Sequence, residues 1–213
     1  CIIILYLFAA NINAQSILAA SESNSGTKNE LNQKNTQLKS ATVPFITTWK
    51  TDNPGSSDDN QITIPANTGT LEDYTYNFTV DWGDGSTDSN VTNSITHTYA
   101  TAGTYVVTIE GIYPHFKSFT ELDPLKLIEL NQWGTQAWLN LESAFSDCEN
   151  MVYLATDIPD LSNVTDMSLT FANVSSFNET IGEWDVSNIK TFNSTFFGST
   201  FNIDISNWNV SGA

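Results

Sequence analysis

Phe177-Asn178 returns as Phe201-Asn202, and Trp184-Asp185-Val186-Ser187 returns as Trp208-Asn209-Val210-Ser211, each pair 24 residues apart. The rhythm extends upstream: Phe196 follows Phe171 by 25 residues, and Phe171 follows Phe145 by 26. Leu141-x-x-x-Phe145, Met167-x-x-x-Phe171 and Phe192-x-x-x-Phe196 keep the same step. A unit this short cannot bury its apolar face alone and must stack on its neighbours, so the period predicts a solenoid. Solenoids mostly make surfaces, and the expected work is recognition before chemistry.

The preceding segment has a different period. Tyr74, Tyr76, Phe78, Val80 and Trp82 alternate with Thr75, Asn77, Thr79 and Asp81, which places five large side chains on one face of a strand. Gly83-Asp84-Gly85 follows as a tight turn, and Tyr105, Val107 and Ile109 mark a second strand entered through Ala102-Gly103. Ile62 and Ile64 mark a third, ended by Pro65. Short strands at this spacing argue a β-sandwich over residues 43–113.

Charge narrows the partners. Of 213 residues, 24 are acidic and 7 are lysine, with no arginine, for a net charge of −17. Such a body repels phosphate backbones and anionic lipid, so nucleic acid and membrane insertion of the mature chain are not expected. Residues 1–15 open on Cys-Ile-Ile-Ile-Leu-Tyr-Leu-Phe-Ala-Ala, an apolar run of signal-sequence length, too short to span a bilayer. We read them as a truncated signal peptide and expect a secreted or surface-displayed protein. Residues 16–42, rich in Ser, Asn, Lys and Gln, read as a flexible linker. With Cys1 in the signal, Cys148 is left without an intramolecular partner and reads as a half-buried packing thiol.

Val80-Asp81-Trp82-Gly83-Asp84-Gly85-Ser86, then His97-Thr98-Tyr99, then Ala102-Gly103-Thr104-Tyr105 resemble a PKD domain in the family's own order. That resemblance implies an immunoglobulin-like sandwich found in surface and secreted proteins. Residues 114–213 resemble the BspA-like repeats of bacterial surface proteins, a relative of the leucine-rich repeat. The carriers are Leu161-Ser162-Asn163-Val164-Thr165-Asp166-Met167 and Val186-Ser187-Asn188-Ile189-Lys190-Thr191-Phe192, 25 residues apart. Leu169 and Ser194 depart from the family's methionine. The implied fold is mainly β: a PKD-type sandwich followed by an irregular leucine-rich-repeat-like solenoid. The C-terminus is expected to cut a repeat short, and the sandwich to cover the other end of the stack.

Three candidate sites follow. Asp81, Asp84 and Asp88 surround the Gly83 turn and could offer oxygens to calcium, although Asp-Gly is also ordinary turn chemistry. Trp184 and Trp208 are the candidate ligand-binding residues, able to stack on sugars, although the same period serves a core. His97 occupies the PKD family's His-x-Tyr position and should pack within the sandwich. No zinc motif, nucleophile elbow or phosphate loop is present, so no enzyme is expected, and no cofactor beyond calcium. The resemblance implies a non-enzymatic adhesion protein whose repeat surface binds extracellular proteins or glycans. The alternatives are an accessory carbohydrate-binding region of a larger secreted enzyme and a structural spacer of the cell envelope.

Overall fold

The computed structural model describes residues 41–66, 74–118, 122–177 and 179–213. The expected signal peptide and nearly all of the expected linker lie outside those residues.

Eight strands follow in order: β1 (Ala41–Lys50), β2 (Gln61–Ile64), β3 (Asn77–Asp81), β4 (Thr87–Val91), β5 (Ile95–Thr98), β6 (Thr104–Ile112), β7 (Leu127–Gln132) and β8 (Val152–Tyr153). Six of them form one sheet in the order β4-β3-β6-β1-β7-β8, and β2 pairs with β5 in a second. The described fold is mainly β, with two short 3-10 turns at Pro124–Lys126 and Glu179–Glu183. The alternation in sequence has its expected outcome: Tyr74, Tyr76, Phe78, Val80 and Trp82 are all buried. The strand itself is shorter than that pattern, because its partner β6 ends at Ile112, opposite Asn77. Pro114 follows at once and offers no amide with which to continue the ladder. Gly83 and Gly85 turn the chain at φ of +75° and +92°. At Gly83 a Cβ would run into the Val106 carbonyl, so the turn needs glycine for space as well as for torsion.

The sheet does not stop where the repeats begin. β1 pairs antiparallel with β6 on one side and with β7 on the other, and β8 adds parallel to β7. The described residues all fall within one compact unit, 39–213.

A spine of aromatic rings runs through that unit. Phe45 on β1 meets Tyr113, Phe116, Trp133 and Trp138 at centroid distances of 5.2–6.4 Å. Phe116 stacks on Phe145 (5.2 Å), Phe145 on Phe171 (5.6 Å, 6°), and Phe171 on Phe196 (5.9 Å, 8°). The recurring phenylalanine is therefore a ladder of near-parallel rings, each worth more than its buried area alone.

The backbone carries a matching ladder. Leu141, Ser143, Phe145 and Asp147 donate their amides to the carbonyls of Asp166, Ser168, Thr170 and Ala172. One turn later, Met167, Leu169, Phe171 and Asn173 donate to Thr191, Asn193, Thr195 and Phe197. Each turn holds two residues in the left-handed region, four apart: Ser143 and Asp147, Leu169 and Asn173, Ser194 and Gly198, with φ of 56–68°. Asp, Asn and Gly at the second position are the residue types that tolerate this conformation. The first position holds Ser, Leu and Ser, and Leu169 keeps its torsion only because the ladder on both sides fixes it. Short turns close the corners. Asp160, Asp166, Asp185 and Asp204 each accept the amide two residues on.

Beside the sheet, Lys126 is fully buried. Its Nζ donates to the carbonyls of Ser57 (2.9 Å), Asp58 (2.8 Å) and Gln61 (3.0 Å) and to Ser57 Oγ (2.8 Å). Asp123, equally buried, lies 3.8 Å away and accepts from the amides of Ser57 and Thr63. The pair pins residues 57–63 to the segment that leads into β7.

Candidate functional site

The two tryptophans do not share an open face. Trp184 is only 3 % exposed and packs against Trp133 (5.5 Å), Phe171 (5.9 Å) and Tyr153 (6.4 Å). The repeat period served the core at this position, and Trp184 cannot reach a ligand. Trp208, one turn further, is half-buried, stacks on Phe192 at 5.6 Å and donates its indole N–H to the Ile181 carbonyl at 2.8 Å.

Two clefts lie along the last turns. One, of about 570 Å³, is polar and is lined by Phe177, Glu183, Asn202, Asp204 and Asn207, with Gly182 at its side. Gly182 is required there, since a Cβ would approach the Asp204 carbonyl to 2.5 Å. The other, of about 620 Å³, is apolar and is lined by Phe192, Phe196, Ile205, Trp208 and Val210.

The three aspartates of the Gly83 turn are each committed to separate hydrogen bonds. Asp81 Oδ1 accepts the Gly83 amide (2.9 Å), and Asp88 Oδ2 accepts the Trp82 indole N–H (2.8 Å). Asp84 accepts from the amide and hydroxyl of Ser86 and meets His97 Nε2 at 2.9 Å. The Ser86 hydroxyl, and after it His97, hold the Asp84 carboxyl down at about 2. Asp81, Asp84 and Asp88 do not converge. Among the described residues no group of three or more His, Cys, Asp or Glu side chains is placed to share a metal ion. His97 lies flat on Trp82 (4.7 Å, 9°) and edge-on to Tyr99 (4.5 Å), so the His-x-Tyr segment packs the turn against the sandwich.

His115 and Cys148 are buried where the sandwich meets the first turn. Cys148 is fully buried, not half-buried; burial raises its thiol to about 12, and Sγ lies 3.5 Å from Ser118 Oγ. His115 Nε2–H donates to the Glu142 carbonyl oxygen at 3.0 Å, and the ring meets Tyr74 edge-on. Burial lowers its pKa from 6.5 to about 4. The unfolded chain therefore takes up this proton near pH 6.5 while the folded chain resists it until about pH 4. Stability from this site is complete above pH 6.5 and is lost as pH falls toward 4, by up to roughly 3 kcal/mol. Asp84 titrates below that window. Urea unfolding at pH 7, 5.5 and 4.5 should show the decline, and His115→Gln should flatten it; parallel slopes for the two proteins would refute the assignment.

Sequence reasoning missed the buried Lys126–Asp123 pair and the paired left-handed residues. A signal for the second was available: Asp147, Asn173 and Gly198 recur at 26 and 25 residues. Nothing in the local sequence marks Lys126 as buried.

Residues 53–112 match the family model for the PKD domain, and residues 115–213 match a family described as "Mycoplasma protein of unknown function, DUF285". Together they support a PKD domain followed by BspA-related repeats, and the first supports the immunoglobulin-like sandwich. No curated protein and no solved structure matches the chain.

Proposed function

We propose that this chain is a secreted or cell-surface, non-enzymatic binding protein that attaches to extracellular proteins through the outer surface of a leucine-rich-repeat-like solenoid. The observation that carries this reading is the division of labour within each turn. The recurring aromatic rings face inward and stack, while the ladder holds exposed Ser, Asn, Thr and Asp side chains at a fixed spacing on the outside. A rigid, periodic polar surface suits an extended ligand better than a small substrate. Both matched families agree with a surface role. Among the described residues no helix is long and apolar enough to cross a membrane.

Glycan binding is the second reading, and the polar cleft supports it. Phe177 offers a ring there beside the carboxylates of Glu183 and Asp204 and the amides of Asn202 and Asn207. Presenting the chain to panels of immobilised extracellular proteins and of glycans, with calcium or with a chelator, separates the readings. Saturable binding to a protein, unchanged by the chelator, is expected. Binding confined to glycans and lost in Asp204→Asn would move the function to the cleft. Blanks on both panels would leave a spacer role and sink adhesion.

A further inference from the structure

Residues 57–61 curl around a single point in the protein interior. The carbonyls of Ser57, Asp58 and Gln61 and the Ser57 hydroxyl all lie 2.8–3.0 Å from Lys126 Nζ. Bonds that do not involve the lysine hold these oxygens in place. The Gln61 amide donates to the Asp58 carbonyl, the Ser57 hydroxyl donates to the Gln61 carbonyl, and Asp123 accepts from the amides of Ser57 and Thr63. Gly55 lies directly over the pair, where a Cβ would run into Asp123 Oδ1 and Lys126 Cε. Both charged side chains are 0 % exposed. The cage and its contents come from different parts of the chain. Residues 57–61 lie in the stretch that matches the PKD domain, and Asp123 and Lys126 lie in the stretch that matches the repeat family.

We propose that this cage is a monovalent-cation site of the sandwich, and that Lys126 is its captive ion, delivered by the segment that leads into the repeats. Charge, distance and ligand number select a monovalent occupant. Asp123, 3.8 Å from Nζ, is the one carboxylate paired with the ion, while Asp58 and Asp59 on the loop are exposed. A single positive charge balances that carboxylate, whereas a divalent ion would leave a charge uncompensated in the interior. Calcium would also draw its oxygens in to about 2.3–2.6 Å and ask for about six to eight of them. Four oxygens at 2.8–3.0 Å suit an ammonium, which has three protons to donate, or a potassium ion of similar size. The latch between loop and repeats therefore needs no ion from solution, and a calcium chelator should leave the Tm of the chain unchanged.

The test empties the cage and refills it. Lys126→Ala removes the atoms of one propylammonium ion, so that ion added to the solution should bind in their place. The Tm of the variant should rise saturably with propylammonium chloride, by about 3–6 °C at ten times the half-saturating concentration. Ammonium and potassium should act more weakly, and the parent chain should not respond. Tetramethylammonium has the charge without the donors, and 1-propanol has the stem without the charge; neither should reproduce the rise at matched concentration. An equal rise with tetramethylammonium would reduce the effect to screening and overturn the proposal. So would no rise with any cation, or a rise with calcium at lower concentrations than the monovalent ions require. If Lys126→Ala is unfolded in every salt, nitrogen NMR of the isotope-labelled parent decides. The Lys126 ammonium protons should exchange with water at least about tenfold more slowly than those of the exposed Lys190, and equal rates would overturn the proposal.

Discussion

Lys126→Met should destabilise the fold by about 3–5 kcal/mol, among the largest effects of any single substitution in this chain. The methionine stem can follow the lysine's path, so the loss is one of charge and donors, not of volume. The Ser57 carbonyl loses its donor inside the protein, and the Asp58 and Gln61 carbonyls lose their ammonium partner while still accepting from the Gln61 amide and the Ser57 hydroxyl. The Asp123 carboxylate keeps its amide partners but loses its buried counter-charge. Leaving one member of a buried pair uncompensated costs far more than the pair contributes against an apolar replacement. For a body of this size the shift in Tm is roughly 6–20 °C. The double variant Lys126→Met, Asp123→Asn should lose less than the sum of its single variants, since the stranded charge is removed with its partner. Calorimetry on the three proteins decides it: a fall below about 1 kcal/mol for Lys126→Met would show that water reaches the site.

Trp133→Ala should cost about 3–5 kcal/mol and weaken the seam between sandwich and repeats. Trp133 is fully buried and touches rings from both regions: Phe45 of β1 at 6.2 Å, and Phe145, Tyr153 and Trp184 of the repeats at 5.5–6.5 Å. Its indole N–H also donates to the Tyr153 hydroxyl at 2.6 Å, a hydrogen bond the variant loses. Trp133→Phe should recover part of the loss by refilling the space, but not the hydrogen bond. Unfolding followed at Cys148 reactivity and at the far-ultraviolet signal should separate in the alanine variant and coincide in the parent. Coincident curves with a small loss would place the seam elsewhere.

The strand face from Tyr74 to Trp82 and the turn at Gly83 were legible because alternation and glycine torsion are local signals. The repeat period was legible too, and it placed Phe145, Phe171 and Phe196 in one stack. What the period could not say is which side of the turn each aromatic faces. Trp184 and Trp208 occupy the same place in the repeat, yet one is sealed by the next turn and the other is not. Burial there depends on position in the stack, which no single unit encodes. Asp81, Asp84 and Asp88 read as a possible oxygen cluster from spacing alone, but each carboxylate is held by its own local donor. Lys126 was invisible for the opposite reason: its partners at residues 57–61 lie more than 60 positions away in sequence. The joining of β7 to β1 was hidden likewise, because its strand pattern is half-buried on both faces and carries no clean alternation.

The sandwich and the repeats form one folded body, tied by the shared sheet and the aromatic spine. Differential scanning calorimetry of the chain tests it most directly. A single transition with calorimetric and van't Hoff enthalpies in agreement is the predicted result. Two separated transitions, one of them insensitive to Trp133→Ala, would contradict it and make the repeats an independent domain that merely follows the sandwich.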